Sequence, residues 1–209
     1  MKEIRFVLLM IVSLALMVGC EDGAAVKVVN QTSYNVYGEI DGEEFTVAGN
    51  SNHTVDVDTD EKVFLIDDGV TKKTIKLEGE TFRIWDYYEE TPHNETEIKV
   101  TPGKTYKVYC KPNSASVKVV NNSDYAITKL RYRKNTQFST GLWFMVTYDP
   151  PLESGEFAYY HLLPQTEENR FFYNFEVIAG DELVYEIGNE FEGVMLFMDD
   201  QHLISIEND

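Results

Sequence analysis

A nine-residue segment occurs twice in the chain, at residues 26–34 and 117–125, and six of its nine positions are identical at an offset of 91 residues. Each copy has a short β-rich run, a polar turn and a tyrosine that opens a second run. Such a repeat predicts two similar domains, each beginning at one copy. A chain of 209 residues gives each domain roughly 90 residues, which is enough to form a core of its own.

Short alternating apolar runs recur about every ten residues, and none has the period of a helix. Turn signals such as Asp41-Gly42 separate the runs. The pattern predicts an all-β fold of two tandem antiparallel β-sandwich domains of the immunoglobulin-like kind. We expect the first domain at 25–111, a linker at 112–116 and the second domain at 117–209. The runs at 63–66 and 194–198 are each predicted to be strands.

The second predicted domain is longer than the first between corresponding turns. If Gly155 corresponds to Gly49, the offset grows from 91 to 106, so about 15 residues are inserted near 136–152. The insert is rich in aromatic residues, and its neighbour along the chain carries several cations. This difference singles out the second domain as the place to look for a binding site.

The amino terminus reads as a signal peptide at 1–19, since Lys2 and Arg5 precede an uncharged apolar run that is too short to span a bilayer comfortably. Its end, Leu16-Met17-Val18-Gly19-Cys20, resembles the lipobox of bacterial lipoproteins, with Met17 where that pattern more often has leucine. The resemblance implies that Cys20 is acylated and begins the mature protein. Residues 20–24 then form a short tether that places the first domain against a membrane.

The same resemblance implies a place in the bacterial cell envelope, with the outer membrane as the expected location, and the acids after Cys20 resemble surface-export signals. Cys110 has no partner within the mature chain. Alternation places it on the inner face of a strand, where it is expected to be a core residue and not a reactive thiol.

The formal net charge is −18, from 36 acidic and 18 basic residues. Such a balance excludes a nucleic-acid partner and adhesion to an anionic lipid surface through basic patches. No Lys or Arg follows Arg170, so the carboxyl-terminal strands are acidic without neutralising neighbours in sequence.

The candidate binding site lies in the second domain. Alternation places Lys129, Arg131 and Arg133 on one strand face, and the aromatic insert with Trp143 and Tyr148 follows. Arginine forks and flat aromatic faces can hold an anionic sugar or a carboxylate-bearing peptide. The structural alternative pairs these cations with acids of adjacent strands, while the insert covers a sheet edge.

Two further clusters have both a functional and a structural interpretation. Asp56, Asp58, Asp60 and Asp67 partly copy a calcium-binding loop, but Glu61 stands where the loop requires glycine, so outward-facing strand residues are the better account. The cluster around Trp85 could stack on a sugar ring, although packing against the core is the favoured role.

Catalysis has little support, because the four histidines are scattered and no nucleophile or phosphate-binding motif occurs. No cofactor and no metal site is expected. The sequence therefore favours a lipid-anchored, non-enzymatic binding or adhesion module whose protein or glycan ligand is open. The second hypothesis is a carbohydrate-binding lipoprotein of a glycan-uptake system, and a calcium-dependent protein is the third.

Overall fold

A computed structural model describes residues 23–59, 70–86, 90–180, 183–189 and 191–208. These residues form strands and connecting turns, and none of them lies in a helix. Accordingly, the described ranges contain no helix that could cross a membrane. The predicted all-β fold class is confirmed.

The first half of the chain forms what we call the amino-terminal sandwich. Its strands are β1 (Gly23–Asn30), β2 (Val36–Ile40), β3 (Glu43–Val47), β4 (Asn52–Asp58), β5 (Thr71–Gly79), β6 (Ile84–Asp86), β7 (Thr91–His93), β8 (Glu95–Val100) and β9 (Thr105–Cys110). They form sheets of order β4-β1-β9 and β3-β2-β5-β8, and a hairpin of β6 and β7 is added. Buried residues from both larger sheets meet in one core that extends from Ala24 to Cys110.

The second half forms the carboxyl-terminal sandwich. Its strands are β10 (Ala115–Asn122), β11 (Ile127–Asn135), β12 (Trp143–Leu152), β13 (Phe157–Leu162), β14 (Phe172–Ala179), β15 (Leu183–Ile187) and β16 (Gln201–Glu207). The sheets have the orders β13-β10-β16 and β12-β11-β14-β15. The core draws on residues between Ala115 and Ile206 and includes the aromatic side chains of Phe171, Tyr173 and Phe175.

The two sandwiches share one topology, because β1, β2, β3, β4, β5, β8 and β9 occupy the same places as β10 to β16. In each, the first strand lies at the centre of its three-stranded sheet. One departure from the antiparallel expectation recurs. The first and last strands pair in parallel, β1 with β9 and β10 with β16. Alternation of apolar residues reports which face is buried but not strand direction, so the sequence pattern could not reveal this pairing.

A buried asparagine explains why the sequence repeat includes an Asn. Asn30 is 2% exposed at the end of β1. Its amide group donates to the carbonyl oxygens of Tyr34 at 2.7 Å and Val47 at 2.9 Å, and its Oδ1 accepts from the Thr32 backbone N–H at 2.9 Å. The side chain thus satisfies buried backbone groups of three chain segments and joins the end of β1 to the end of β3.

Asn121 repeats this arrangement in the carboxyl-terminal sandwich, where it is fully buried. It donates to the carbonyl oxygens of Tyr125 at 2.9 Å and Leu152 at 2.8 Å. Its Oδ1 accepts from the backbone N–H of Ser123 at 3.0 Å. The repeated Asn-x-Thr/Ser pattern therefore builds a turn, as expected for these residue types.

Backbone contacts at the following turns correct the alignment of the two halves. The backbone N–H of Asn30 donates to the Ser51 carbonyl and that of Asn121 to the Glu156 carbonyl, and the residues just before these two acceptors, Asn50 and Gly155, are left-handed with φ of 55° and 85°. Gly155 thus matches Asn50 and not Gly49. The offset is then 105, and 14 residues are inserted where 15 were expected. They lengthen the β11–β12 hairpin relative to β2–β3 and do not form an additional hairpin.

Other differences concern the ends of elements. The linker expected at 112–116 is shorter, because β10 begins at Ala115, which is fully buried. The strand expected at 194–198 is reduced to a single bridge between Val194 and Tyr173, although Leu196 is buried. The strand predicted at 63–66 lies outside the described residues.

A buried carboxylate joins the two sandwiches. Glu80, which is 2% exposed in the amino-terminal sandwich, accepts hydrogen bonds from the Tyr37 hydroxyl at 2.8 Å and the Lys118 Nζ at 3.0 Å. Its second oxygen accepts from Gln201 Nε2 at 2.7 Å. Lys118 and Gln201 belong to the other sandwich, so the charge of Glu80 is neutralised and hydrogen-bonded across the junction.

Asp199 makes the reciprocal contact from the carboxyl-terminal sandwich. It accepts hydrogen bonds from the Ser33 backbone N–H at 2.8 Å, the Ser33 hydroxyl at 2.7 Å and the Thr81 hydroxyl at 2.6 Å. Tyr37 and Tyr159 also stack across the junction, with ring centroids 6.0 Å apart. Together, the hydrogen bonds of Glu80 and Asp199 across the junction restrict the relative motion of the two sandwiches.

We predict that Asn121→Ala lowers the free energy of unfolding by about 2 to 4 kcal/mol, because it removes the buried partner of the Leu152 carbonyl and of the Ser123 backbone N–H, as well as one bond to the Tyr125 carbonyl. Urea denaturation followed by circular dichroism measures the change. The neighbouring Asn122→Ala is the matched control, since its amide bonds to exposed Ser205 and Glu207 side chains. It should change stability by less than about 0.5 kcal/mol. Equal losses in the two variants would contradict the role assigned to Asn121.

Candidate functional site

The cations proposed from sequence lie on the outer face of the carboxyl-terminal sandwich. Lys129, Arg131 and Arg133 alternate with the inward-facing Leu130 and Tyr132 along β11. Trp143 pairs directly with Arg133 across the β11–β12 hairpin. The strand register therefore brings the three cations and the tryptophan onto one surface.

The contacts on this outer face are internal. Arg131 forms an ion pair of 2.8 Å with Glu176 of β14, and Arg133 Nε donates to Asn174 Oδ1 at 3.3 Å. The guanidinium carbons of Arg131 and Arg133 lie 5.1 and 4.6 Å from the centroid of the Trp143 ring. A cleft of about 250 Å³ remains beside Arg133. The Trp143 ring and the two arginines stabilise one another here. These internal contacts agree with the structural alternative, in which the cations pair within the fold.

Tyr148 is not brought to this surface. It lies on the opposite face of β12 and packs against the core together with Val146. Its hydroxyl is buried and has no hydrogen-bond partner within the described residues. Burial raises the pKa of Tyr148 to about 12. Trp143 and Tyr148 therefore cannot contact one ligand from the same side of the sheet.

Of the aspartates that partly copy a calcium-binding loop, two are described by the structure. Asp56 and Asp58 are exposed on β4 beside the buried Val55 and Val57, as the outward-facing strand interpretation requires. Asp60 and Asp67, like Cys20, lie outside the described residues. Within the described part of the chain no group of three His, Cys, Asp or Glu residues could hold a metal ion.

Cys110 is confirmed as a core residue. Its side chain is fully buried at the end of β9, and burial raises the pKa of its thiol to about 12. A thiol with so little thiolate at neutral pH is unreactive.

A larger cleft, of about 480 Å³, opens where the two sandwiches meet. We call it the junction cleft. Both sandwiches and the segment between them contribute to its lining: Arg83, Trp85, Asn113, Ser114, Tyr132, Lys134, Phe144, His161, Leu162, Leu163, Pro164 and Tyr173.

Aromatic side chains form much of the wall of the junction cleft. Tyr132 stacks on Phe144 with centroids 5.4 Å apart, and the Tyr173 ring meets Tyr132 edge-on at 6.1 Å. Trp85 comes from the amino-terminal sandwich and is 42% exposed, so it is not the core residue that sequence favoured. Phe144 is 56% exposed. Large aromatic faces left accessible in a concave surface are typical of a binding site.

Most polar groups of the junction cleft are already engaged within the fold. Asn113 Oδ1 accepts from the backbone N–H of Arg83 at 3.0 Å, and its amide donates back to the Arg83 carbonyl at 2.6 Å. His161 Nε2 donates to the Gly79 carbonyl at 2.7 Å, and the Tyr173 hydroxyl donates to the Leu163 carbonyl at 3.0 Å. These bonds hold the walls in place and leave few groups for a ligand.

Sequence reasoning noticed both aromatic groups of the junction cleft but could not connect them. Trp85 and Phe144 belong to different sandwiches, and no pattern in the sequence relates them. Lys134 follows the cations of the predicted site along β11, but it lies on the opposite strand face from Arg131 and Arg133 and lines the cleft. The alternation of residues along β11 was the available signal, since it separates Lys134 from the outer-face cations.

No family model and no curated protein matches the sequence. Similar solved structures include the Bacillus anthracis TIE protein, at 8% identity and a TM-score of 0.28 over 88% of this chain; the chain spans 34% of that protein. A major pilin from Streptococcus pyogenes has 10% identity and a TM-score of 0.22 over 88% of this chain and 96% of the pilin.

A third similar structure is a candidate adhesin from Bacteroides ovatus, at 11% identity and a TM-score of 0.25 over 88% of this chain and 86% of the adhesin. TM-scores and identities this low support no conclusion about fold or function.

We predict that protonation of His161 destabilises the fold. The pKa of His161 is lowered from 6.5 to about 4, mainly by burial and to a smaller extent by the charge of Arg83, while the backbone bonds to Gly79 and Phe82 oppose the shift. Glu78 is 3.9 Å away and half-exposed, and the Tyr159 ring meets the imidazole edge-on. The unfolded chain therefore binds a proton that the folded chain does not, so stability present above pH 6.5 is lost as the pH falls toward 4.

The measurement is urea unfolding of the protein and of His161→Gln at pH 7 and pH 5. The glutamine keeps a donor for Gly79 but does not titrate. Between these two pH values the free energy of unfolding of the unmodified chain should fall by up to about 2 kcal/mol more than that of the variant. Identical pH dependences would show that His161 does not titrate differently in the folded chain.

Proposed function

We propose that this protein is a non-enzymatic binding module of the bacterial cell envelope, anchored by lipid on Cys20, that holds its ligand in the junction cleft. The observation that carries the proposal is the cleft itself. It joins exposed aromatic faces from both sandwiches to two cations in a concave surface of about 480 Å³. This combination suits recognition, since apolar walls supply affinity and a few polar groups supply orientation.

Rigidity supports the same proposal. Because Glu80 and Asp199 fix the two sandwiches through hydrogen bonds, the walls of the cleft do not have to be assembled when a ligand binds. A preformed site avoids the entropic cost of ordering its parts. A duplicated sandwich is a suitable scaffold, because the junction between two copies creates a concavity that neither copy has alone.

The proposed anchor determines the orientation of the cleft. β1 begins at Gly23, so only Glu21 and Asp22 separate it from the acylated residue, and two residues reach about 7 Å. The amino-terminal sandwich then lies against the membrane and the carboxyl-terminal sandwich points away from it. A ligand would reach the junction cleft from the side.

The second hypothesis, a carbohydrate-binding lipoprotein of a glycan-uptake system, keeps the same anchor and a different site. It assigns stacking to Trp143 and Tyr148 and an acidic sugar group to Arg131. The contacts of these residues favour it less, because Arg131 is paired with Glu176 and Tyr148 faces the core. The junction cleft is therefore the site to test first.

We predict that a double variant, Trp85→Ala with Phe144→Ala, abolishes ligand binding by the mature chain without unfolding it, because both side chains are partly exposed wall residues. Binding is read on peptide and glycan arrays with a labelled protein carrying Cys20→Ser, and folding is checked by circular dichroism. Tyr109→Ala is the matched control, since Tyr109 is 51% exposed on β9 but does not line the cleft.

The control variant should retain every array signal. Signals that survive in the double variant would place the binding site elsewhere and refute the assignment to the junction cleft. If those surviving glycan signals are lost in Trp143→Ala with Arg131→Ala, the carbohydrate hypothesis is the correct one.

We predict that the full-length chain is labelled by a palmitate analogue in bacteria and that Cys20→Ala removes both the label and membrane association. The physical reason is that at about 0.8 kcal/mol per buried CH₂ two or three acyl chains give stable anchoring, whereas the acidic sandwiches have no attraction for anionic lipid. Cys110→Ala is the control and should leave the label unchanged. A Cys20→Ala chain that still sediments with membranes would contradict the anchor.

A further inference from the structure

Two cations line the junction cleft, Arg83 from the amino-terminal sandwich and Lys134 from the carboxyl-terminal one. Neither forms an ion pair with a described residue, unlike Lys118 with Glu80 at the junction and Arg131 with Glu176 on the outer face. Lys134 instead has its Nζ 4.8 Å from the Phe171 ring centroid. Two cations from opposite sandwiches, neither neutralised within the described ranges, therefore line one concave surface.

The other polar side chains of the cleft add little for a ligand. Ser114 lines the cleft, but its Oγ is buried out of reach of a ligand oxygen. His161 adds no positive charge at neutral pH, because burial keeps its pKa low. The charged groups that the described side chains offer a ligand are thus the two cations.

We propose that the junction cleft binds a small amphipathic carboxylate, meaning an acid with an aromatic or aliphatic body. The inference rests on the proposed function and names the ligand class of the same site. The apolar body packs among Trp85, Phe144 and Leu163, and the carboxylate accepts hydrogen bonds from Arg83 and Lys134.

The distribution of polar groups favours such an acid over a sugar. A sugar carries several hydroxyl groups, and each one left without a partner in a water-excluding site costs affinity. The side chains of Asn113, His161 and Tyr173 already use polar atoms in internal bonds. A carboxylate needs hydrogen-bond partners only at its two oxygens, which two cations can supply. The volume of about 480 Å³ lies in the range of pockets for small molecules.

The test uses 3-phenylpropionate and its uncharged amide, 3-phenylpropanamide, titrated calorimetrically into the mature chain carrying Cys20→Ser. The two probes share the same apolar body, so their difference reports recognition of the carboxylate. We expect the acid to bind at least about tenfold more tightly than the amide, since hydrogen bonds to a charged group are the stronger kind. Arg83→Gln combined with Lys134→Gln should reduce that ratio to about one, because it removes both charges from the cleft.

Lys129→Gln is the matched control, because Lys129 lies on the opposite face of the same strand as Lys134, and it should leave the ratio unchanged. Equal binding of acid and amide, both lost in the Trp85→Ala and Phe144→Ala double variant, would overturn the carboxylate inference while the cleft remained the binding site. Cleft-dependent array signals without any binding of the acid would also overturn it. Absence of both cleft-dependent array signals and probe binding would refute the proposed function itself.

Discussion

The fold depends on one repeated constraint, the burial of an asparagine amide at the end of the first strand of each sandwich. Asn30 and Asn121 are inside the protein, where a polar group without partners would be costly, and each bonds to carbonyl oxygens of the following turn and of the third strand. These bonds fix where the second strand begins and where the hairpin of the second and third strands ends. The 14 additional residues of the carboxyl-terminal sandwich lie between those two points, as a longer β11–β12 hairpin.

The candidate site follows from this elongation and from the junction. The longer hairpin contributes Lys134 and Phe144, which line the junction cleft together with Trp85 of the other sandwich. Glu80 and Asp199 hold the two bodies in register through bonds that cross between them. Binding in this cleft would use the difference between two copies of one fold, because the shared topology supplies the scaffold and the unshared residues supply the chemistry.

Strands with strong alternation were predicted well from the sequence, such as β14 with Tyr173, Phe175 and Val177 buried. The strand predicted at 194–198 was wrong, since Val194 makes only one bridge there. Apolar alternation reports which side chains are buried, and a segment can bury them without pairing with another strand. The site was harder to predict. Arg131 and Arg133 do share a face with Trp143, as predicted. Arg131 is nevertheless paired with Glu176, and the sequence of one strand does not reveal which acid lies beside it on the neighbouring strand.

The duplication, the all-β class, the buried role of Cys110 and the strand faces were already readable from the amino-acid sequence, because each depends on periodicity and on local turn chemistry. The parallel pairing of strands, the neutralised cations and the aromatic residues that share the junction cleft became known from the folded chain alone. These outcomes depend on distances between segments far apart in the chain. Trp85 and Phe144 line one cleft because two independently patterned cores pack against each other through the bonds of Glu80 and Asp199.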